Sequence, residues 1–194
     1  MKTLLNRFKK VAGDDDATKE RRAQGVEPAY RVLFVCMGNI CRSPTAAGVF
    51  EKLLGERAPE LVVEVDSAGT HAYHVGEAPD ARARRAAERR GVDLSGQRAR
   101  RVSVEDFERF DFVVAMDQLN RTVLMELCPP EYQGRIYLFL EFAPQLGRSD
   151  VPDPYYGGSN GFEHVLDLVE EASISFIEHL RRERDRNRDR KERP

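Results

Sequence analysis

The chain has 194 residues, three cysteines and a formal net charge of −2. That length suits one domain of about 150 residues with tails, large enough to bury a sizeable core. The near-neutral charge gives no global reason to expect nucleic acid or an anionic membrane as partner, no apolar run approaches the ~20 residues that span a bilayer, and so few cysteines do not make a disulfide framework. Met1 to Lys10 begins basic but never reaches an apolar signal-peptide core, so a cytoplasmic location is expected.

Residues 1–29 read as an N-terminal extension. Leu4, Leu5, Phe8 and Val11 fall at helical spacing, which predicts a short amphipathic helix, and Gly13-Asp14-Asp15-Asp16 then breaks it into a polar linker. From Tyr30 strand and helix signals alternate. Arg31–Val35, Leu61–Asp66, Phe112–Met116 and Arg135–Leu140 are short runs with strand character. Helical stretches fall at Pro44–Arg57, Pro79–Arg90, Asp117–Leu127 and about Ser159–Arg182, the last with Phe162, Val165, Leu166, Val169, Ala172, Phe176 and Leu180 in three-and-four repeat. This alternation predicts an α/β fold: a four-stranded parallel, doubly wound sheet flanked by helices on both faces, spanning 30–180. Arg181–Pro194 is almost wholly charged or amide-bearing and reads as a solvated helix extension or tail.

Ligands in such sheets bind beyond the carboxyl ends of the strands, and the crowded stretch Cys36-Met37-Gly38-Asn39-Ile40-Cys41-Arg42-Ser43-Pro44 lies at the end of the first strand. Ser43 fits a helix N-cap and Pro44 the first helical position, while Gly38 permits a tight curl. Successive backbone N–H groups there can converge into an anion-binding nest at a helix N-terminus. Arg42 adds a planar fork suited to a phosphate-like oxyanion. A thiolate facing the nest is stabilised by the same N–H groups and dipole. The C-x5-R spacing of Cys36 and Arg42 is the length at which a loop can wrap a tetrahedral oxyanion and return the arginine beside the sulfur. The loop therefore suits a cysteine nucleophile that also binds the group it attacks.

The full Cys36–Pro44 stretch resembles the low-molecular-weight protein tyrosine phosphatases. So do Asp66-Ser67-Ala68-Gly69-Thr70, Met116-Asp117-Gln118-Leu119-Asn120 and Asp153-Pro154-Tyr155-Tyr156, in the family's order over roughly residues 30–180. The resemblance implies that Cys36 attacks phosphorus and carries a phosphocysteine intermediate, with the amides of Met37, Gly38, Asn39, Ile40, Cys41 and Arg42 and the Arg42 guanidinium holding the equatorial oxygens. It further implies Asp153 as general acid and then base, Ser43 as thiolate stabiliser and Asn39 as the brace of the curl. Tyr73, Tyr155 and Tyr156 would wall the substrate ring, and Cys41 would guard Cys36 through a reversible disulfide. Asp117 and Asn120 are read as a structural helix cap. The partner implied is a phosphotyrosine-containing protein; no metal, cofactor, nucleic acid or stable membrane insertion is called for, and the oligomeric state is left open.

Two positions depart from the family pattern. Thr45-Ala46-Ala47-Gly48 lacks the acid that often follows Ser-Pro, at Ala47, and Gln97 stands where many relatives carry a histidine contacting the loop asparagine. Other chemistries fit less well. A zinc set of Cys36, Cys41, His71 and His74 has unsuitable spacings and an adjacent arginine, and no G-x4-G-K-[ST] motif occurs. An arsenate reductase on this fold would need relay cysteines, for which only Cys128 remains. A phosphoarginine phosphatase tends to carry threonine at the position of Ile40. A phosphate-binding regulatory module without turnover has no need of Cys36, Arg42 and Asp153 together.

Overall fold

A computed structural model describes residues 26–155 and 158–191. Four strands, β1 (Tyr30–Cys36), β2 (Val63–Gly69), β3 (Phe112–Ala115) and β4 (Ile136–Leu138), form one sheet in the order β2-β1-β3-β4, with every neighbouring pair parallel. The helices are α1 (Arg42–Arg57), α2 (Ala81–Arg89), α3 (Val104–Arg109), α4 (Gln118–Leu127) and α5 (Gly158–Lys191), with 3-10 turns around β4. The predicted class is the one observed.

The period-two alternation of β1 divides the core. Val32, Phe34 and Cys36 face a large cluster with α1, α2 and α5, while Leu33 and Val35 face a smaller one containing Phe107 of α3 and Leu124 of α4. In the first cluster Phe34 meets Phe50 and Phe139 edge-on, and Phe176 stacks on Phe142 at a centroid distance of 4.0 Å. Such aromatic pairs add roughly 0.5–1.5 kcal/mol each beyond their burial. Both faces of β1 are thus sealed, which holds its carboxyl end rigid.

Several boundaries differ from those expected. β2 runs to Gly69 because its small residues Ser67, Ala68 and Gly69 pair with Phe34, Val35 and Cys36 of β1. α3, one of the shorter elements, has too few turns to show a periodic pattern; its cap is nevertheless a capping box, Ser103 with Asp106. β4 ends at Leu138, and Phe139–Phe142 turns into a 3-10 helix. α5 continues past the expected end near Arg182 to Lys191, with Arg181 and Arg184 reaching Glu60. The helix expected around Leu4–Val11, and Tyr156, lie outside the described residues.

In this strand order the chain passes from β1 outward to β2 and returns on the other side of β1 to β3. The switch point therefore lies between the carboxyl ends of β1 and β3. The loops that follow those two strands diverge there. The segment before α5 closes on the same spot, since the Val151 amide donates to the Met116 carbonyl at 2.8 Å.

Candidate active site

The loop after β1 turns through Met37–Cys41 and enters α1 at Arg42. Its left-handed residue is Asn39, with φ of 56°, and not Gly38. Asparagine tolerates that region better than most side chains because its short amide can bond locally. Here Asn39 Nδ2 donates to Ser43 Oγ at 2.9 Å and to Ser67 Oγ at 2.8 Å, and Oδ1 accepts from the Arg100 amide at 2.9 Å. Gly38 instead lets a side chain come close: a Cβ there would stand 3.1 Å from the His74 ring, tighter than ordinary contact. The amides of Met37–Cys41 have no partner among the described residues, so the loop offers unpaired donors at the amino end of α1.

Ser43 is not the N-cap. The helix begins before it, at Arg42 after Cys41, and no side chain caps it. Pro44 still falls in the first turn, where no amide donor is lost. The Ser43 hydroxyl is used across the loop instead. It lies 3.1 Å from Cys36 Sγ and 3.2 Å from the Ala68 carbonyl while accepting from Asn39. A hydroxyl has one proton, so it can serve only one of those acceptors. With Cys36 as a thiol, sulfur donates to Ser43 and Ser43 to Ala68. With Cys36 as a thiolate, Ser43 turns its proton to the sulfur.

Arg42 is 3% exposed, and acceptors from two distant segments converge on it. Nη1 donates to Asp117 Oδ2 and, at 3.1 Å, to the Val151 carbonyl; Nη2 donates to Asp153 Oδ2 at 3.1 Å. Burial disfavours the guanidinium charge, but Cys36, Asp153 and Asp117 outweigh it and the Arg42 pKa is raised. Asp117, read from sequence as a cap alone, is both: Oδ1 accepts from the Asn120 amide at 2.7 Å and caps α4, while Oδ2 fixes the arginine fork.

Cys36, Arg42 and Asp153 line one cavity of about 310 Å³, with Tyr73, His74 and Tyr155 on its walls. Tyr73 stacks on His71 at 5.2 Å, and both Tyr73 and Tyr155 are exposed at the mouth. His74, whose sequence signal fits only an unsuitable zinc set, is brought to the cavity by the approach of its ring to Gly38. Cys36, Cys41, His71 and His74 do not form a metal-ligand group among the described residues; His71 instead meets Thr70 and His74 meets Glu77. Cys41 borders the cavity as a free, buried thiol. Burial, with Asp80, Cys36 and Asp153 adding to it, pushes it up to about 12.

Residues 31–186 match the family described as low molecular weight phosphotyrosine protein phosphatase. The chain belongs to that family. A low molecular weight protein-tyrosine-phosphatase of Streptomyces coelicolor is 41% identical over 155 residues, covering 78% of this chain and 94% of its own. The human low molecular weight phosphotyrosine protein phosphatase is 37% identical over 153 residues, covering 76% and 93%. Among solved structures, a protein tyrosine phosphatase of Entamoeba histolytica, with Hepes in its active site, superposes with a TM-score of 0.77 at 38% identity, covering 80% of this chain and 99% of that one.

Within this phosphatase family the departure at Gln97 acquires a definite geometry. Gln97 Oε1 lies 3.3 Å from Ser67 Oγ and Nε2 donates to the Pro44 carbonyl at 3.0 Å. It therefore reaches Asn39 through Ser67, not directly. Ala47 is buried, and beside it Gly48 lets the Val92–Leu94 segment come so close that a Cβ there would collide with Leu94.

Proposed function

We propose that this chain hydrolyses phosphotyrosine in proteins, and small aryl phosphates, through a phosphocysteine on Cys36. The observation that carries the proposal is the convergence of Cys36 and Arg42, from the two ends of one loop, and Asp153, from a distant segment, on one cavity beside loop amides that have no partner among the described residues. In the first step the Cys36 thiolate attacks phosphorus and the P–O bond to the aryl group breaks. Arg42 and the amides of Met37, Gly38, Asn39, Ile40 and Cys41 take the charge on the equatorial oxygens, and Asp153 gives its proton to the leaving oxygen. In the second step Asp153 takes a proton from water, water attacks phosphorus, and the P–S bond breaks to release phosphate and restore the thiolate.

The proton count at Ser43 supports its role, since its hydroxyl has a carbonyl to serve when sulfur is protonated and a thiolate to serve when it is not. Tyr73 and Tyr155 suit the walls of a ring-binding cleft, and the same role is proposed for Tyr156. Cys41 is the proposed redox guard, because a thiol held protonated does not compete as nucleophile yet lines the same cavity. No helix among the described residues is long and apolar enough to cross a membrane, and a cytoplasmic location belongs to this reading. Residues 30–180 are taken as the catalytic unit.

The test is hydrolysis of an aryl phosphate and of phosphotyrosine and phosphoarginine peptides by wild type, Cys36→Ser and Asp153→Ala proteins. Loss of turnover in the Cys36 variant, and preference for phosphotyrosine, are expected. Undiminished turnover by Cys36→Ser would overturn the mechanism, and preference for phosphoarginine would overturn the substrate assignment.

A further inference from the structure

Arg82 lies outside the phosphate loop and the acid loop, yet it joins them. Asp80 donates its amide to the Ile40 carbonyl of the phosphate loop at 2.7 Å. Its carboxylate caps α2 and grips Arg82 from both oxygens: Oδ1 accepts from the Arg82 amide at 2.7 Å and from Nε at 3.1 Å, and Oδ2 from Nη2 at 2.8 Å. The guanidinium thus held donates through Nη1 to the Tyr155 carbonyl at 3.2 Å, and lies 5.2 Å from the Tyr155 ring centroid and 4.9 Å from that of Phe162. A delocalised planar cation suits such a position between rings, where the fork bonds in plane and the face stacks. Phe162 is buried on α5, so the arrangement is anchored to the core.

The chain of contacts then closes. The Tyr155 amide donates to Asp153 Oδ1 at 3.0 Å, and Asp153 Oδ2 accepts from Arg42, which begins α1 directly after the loop. One carboxylate oxygen is therefore held by the backbone turn that Arg82 fixes, and the other by the arginine that must take the phosphoryl group. When a phosphoryl group occupies the Arg42 fork, Asp153 loses one of its two holds. The Tyr155 turn is then what keeps its carboxyl aimed into the cavity.

We infer that Arg82 is a positioning residue for the general acid, tying the Asp153-Pro154-Tyr155 turn to the phosphate loop through Asp80. This rests on Asp153 being the general acid. A one-ångström loosening of a positioned group costs rate without altering what the phosphate loop binds. The deficit is largest where proton donation matters most, for leaving groups of high pKa.

The experiment measures kcat/KM over a series of aryl phosphates from 4-nitrophenyl to phenyl phosphate, with the inhibition constant of inorganic phosphate, for wild type, Arg82→Ala, Arg82→Lys and Asp153→Ala. The exposed Arg84→Ala on the same helix is the control. Arg82→Ala is expected to lower kcat/KM about tenfold for phenyl phosphate and less than about threefold for 4-nitrophenyl phosphate, steepening the dependence on leaving-group pKa. Arg82→Lys, which keeps the charge but not the fork, should fall between. Phosphate inhibition should stay within about twofold of wild type, and Arg82→Ala should add nothing in an Asp153→Ala background. A uniform loss across the series, or one matched by weaker phosphate inhibition, overturns the inference. A steepened series in Asp153→Ala with an unchanged one in both Arg82 variants overturns the role of Arg82 alone. An unchanged series in Asp153→Ala overturns the acid assignment and the inference with it.

Discussion

The Arg42 guanidinium donates to Asp153 at 3.1 Å, so the cation that would bind phosphate is partly occupied by the carboxylate that would protonate the leaving group. The second arm goes to Asp117 and the Val151 carbonyl. An incoming phosphoryl dianion and Asp153 therefore compete for the same fork, which allows the two functions of Asp153 to be separated experimentally.

Asp153→Ala should lower kcat for phenyl phosphate by about 10²–10⁴, the usual contribution of a positioned acid. At the same time inorganic phosphate should bind several-fold more tightly, because a negative competitor has left Arg42. Steady-state kinetics with phosphate as inhibitor reads both. Weaker phosphate binding in this variant would mean that Asp153 orients Arg42 and does not compete for it.

Asp117 has two jobs that its variants divide. Asp117→Asn can still accept from the Asn120 amide, so thermal stability should change little, while the weaker hold on Arg42 should lower kcat/KM roughly tenfold. Asp117→Ala should show the same kinetic loss and a further destabilisation of about 1 kcal/mol from the lost cap. Equal stability losses in the two variants would contradict this division.

Much of this site is legible before any coordinates, and the part that is not has a physical reason. Cys36 and Arg42 stand in one loop, where spacing carries the geometry. The pairing of Arg42 with Asp117 spans 75 positions, and Asp117 already had a sufficient local explanation as a cap, which is also true of it. Ser43 misled in the opposite way. Its position before a proline is what an N-cap looks like, but the helix starts earlier and the hydroxyl is drawn across the loop to Cys36 and Ala68. The central strands β1 and β3 were findable because both faces of the sheet are covered there, which demands near-continuous apolar runs. The end of β2 was not, because Ser67, Ala68 and Gly69 carry no strand preference and owe their conformation to pairing with β1. Likewise Arg82 is one arginine among several in Ala81–Arg89, singled out only by Tyr155 and Phe162 arriving from the other end of the chain.

Cys41 should resist alkylation. With its thiol pushed up to about 12 by burial and nearby acidic groups, almost none is thiolate at neutral pH. Brief treatment with iodoacetamide at pH 7, followed by peptide mass spectrometry, should label Cys36, which lines the cavity, while Cys41 and Cys128, the latter buried away from that cavity, remain free. Cys41 labelled as fast as Cys36 would contradict the assignment of separate roles.

Asn39 bears strain that only its side chain offsets. Asn39→Ala keeps a Cβ at φ of 56° and loses three hydrogen bonds, so it should destabilise the fold by about 1–3 kcal/mol and slow turnover. Asn39→Gly relieves the backbone but not the network. It should recover stability in denaturant titrations more than it recovers kcat.

The pH dependence of stability carries a term from His179. Burial lowers its pKa against the opposing effect of Glu183, so the folded state resists protonation more than the unfolded chain does. Its contribution is fully present above the unfolded value of about 6.5 and is lost as pH falls through the lower folded one. Denaturant midpoints at pH 7.5 and 5.5 should therefore differ less in His179→Gln than in wild type.

The most direct test of the account is to trap the intermediate. Asp153→Ala protein mixed with excess 4-nitrophenyl phosphate, acid-quenched within the burst and digested, should yield the Cys36 peptide carrying one phosphoryl group, absent from Cys36→Ser. Phosphate recovered on another residue, or hydrolysis proceeding at the wild-type rate in Cys36→Ser, would contradict it.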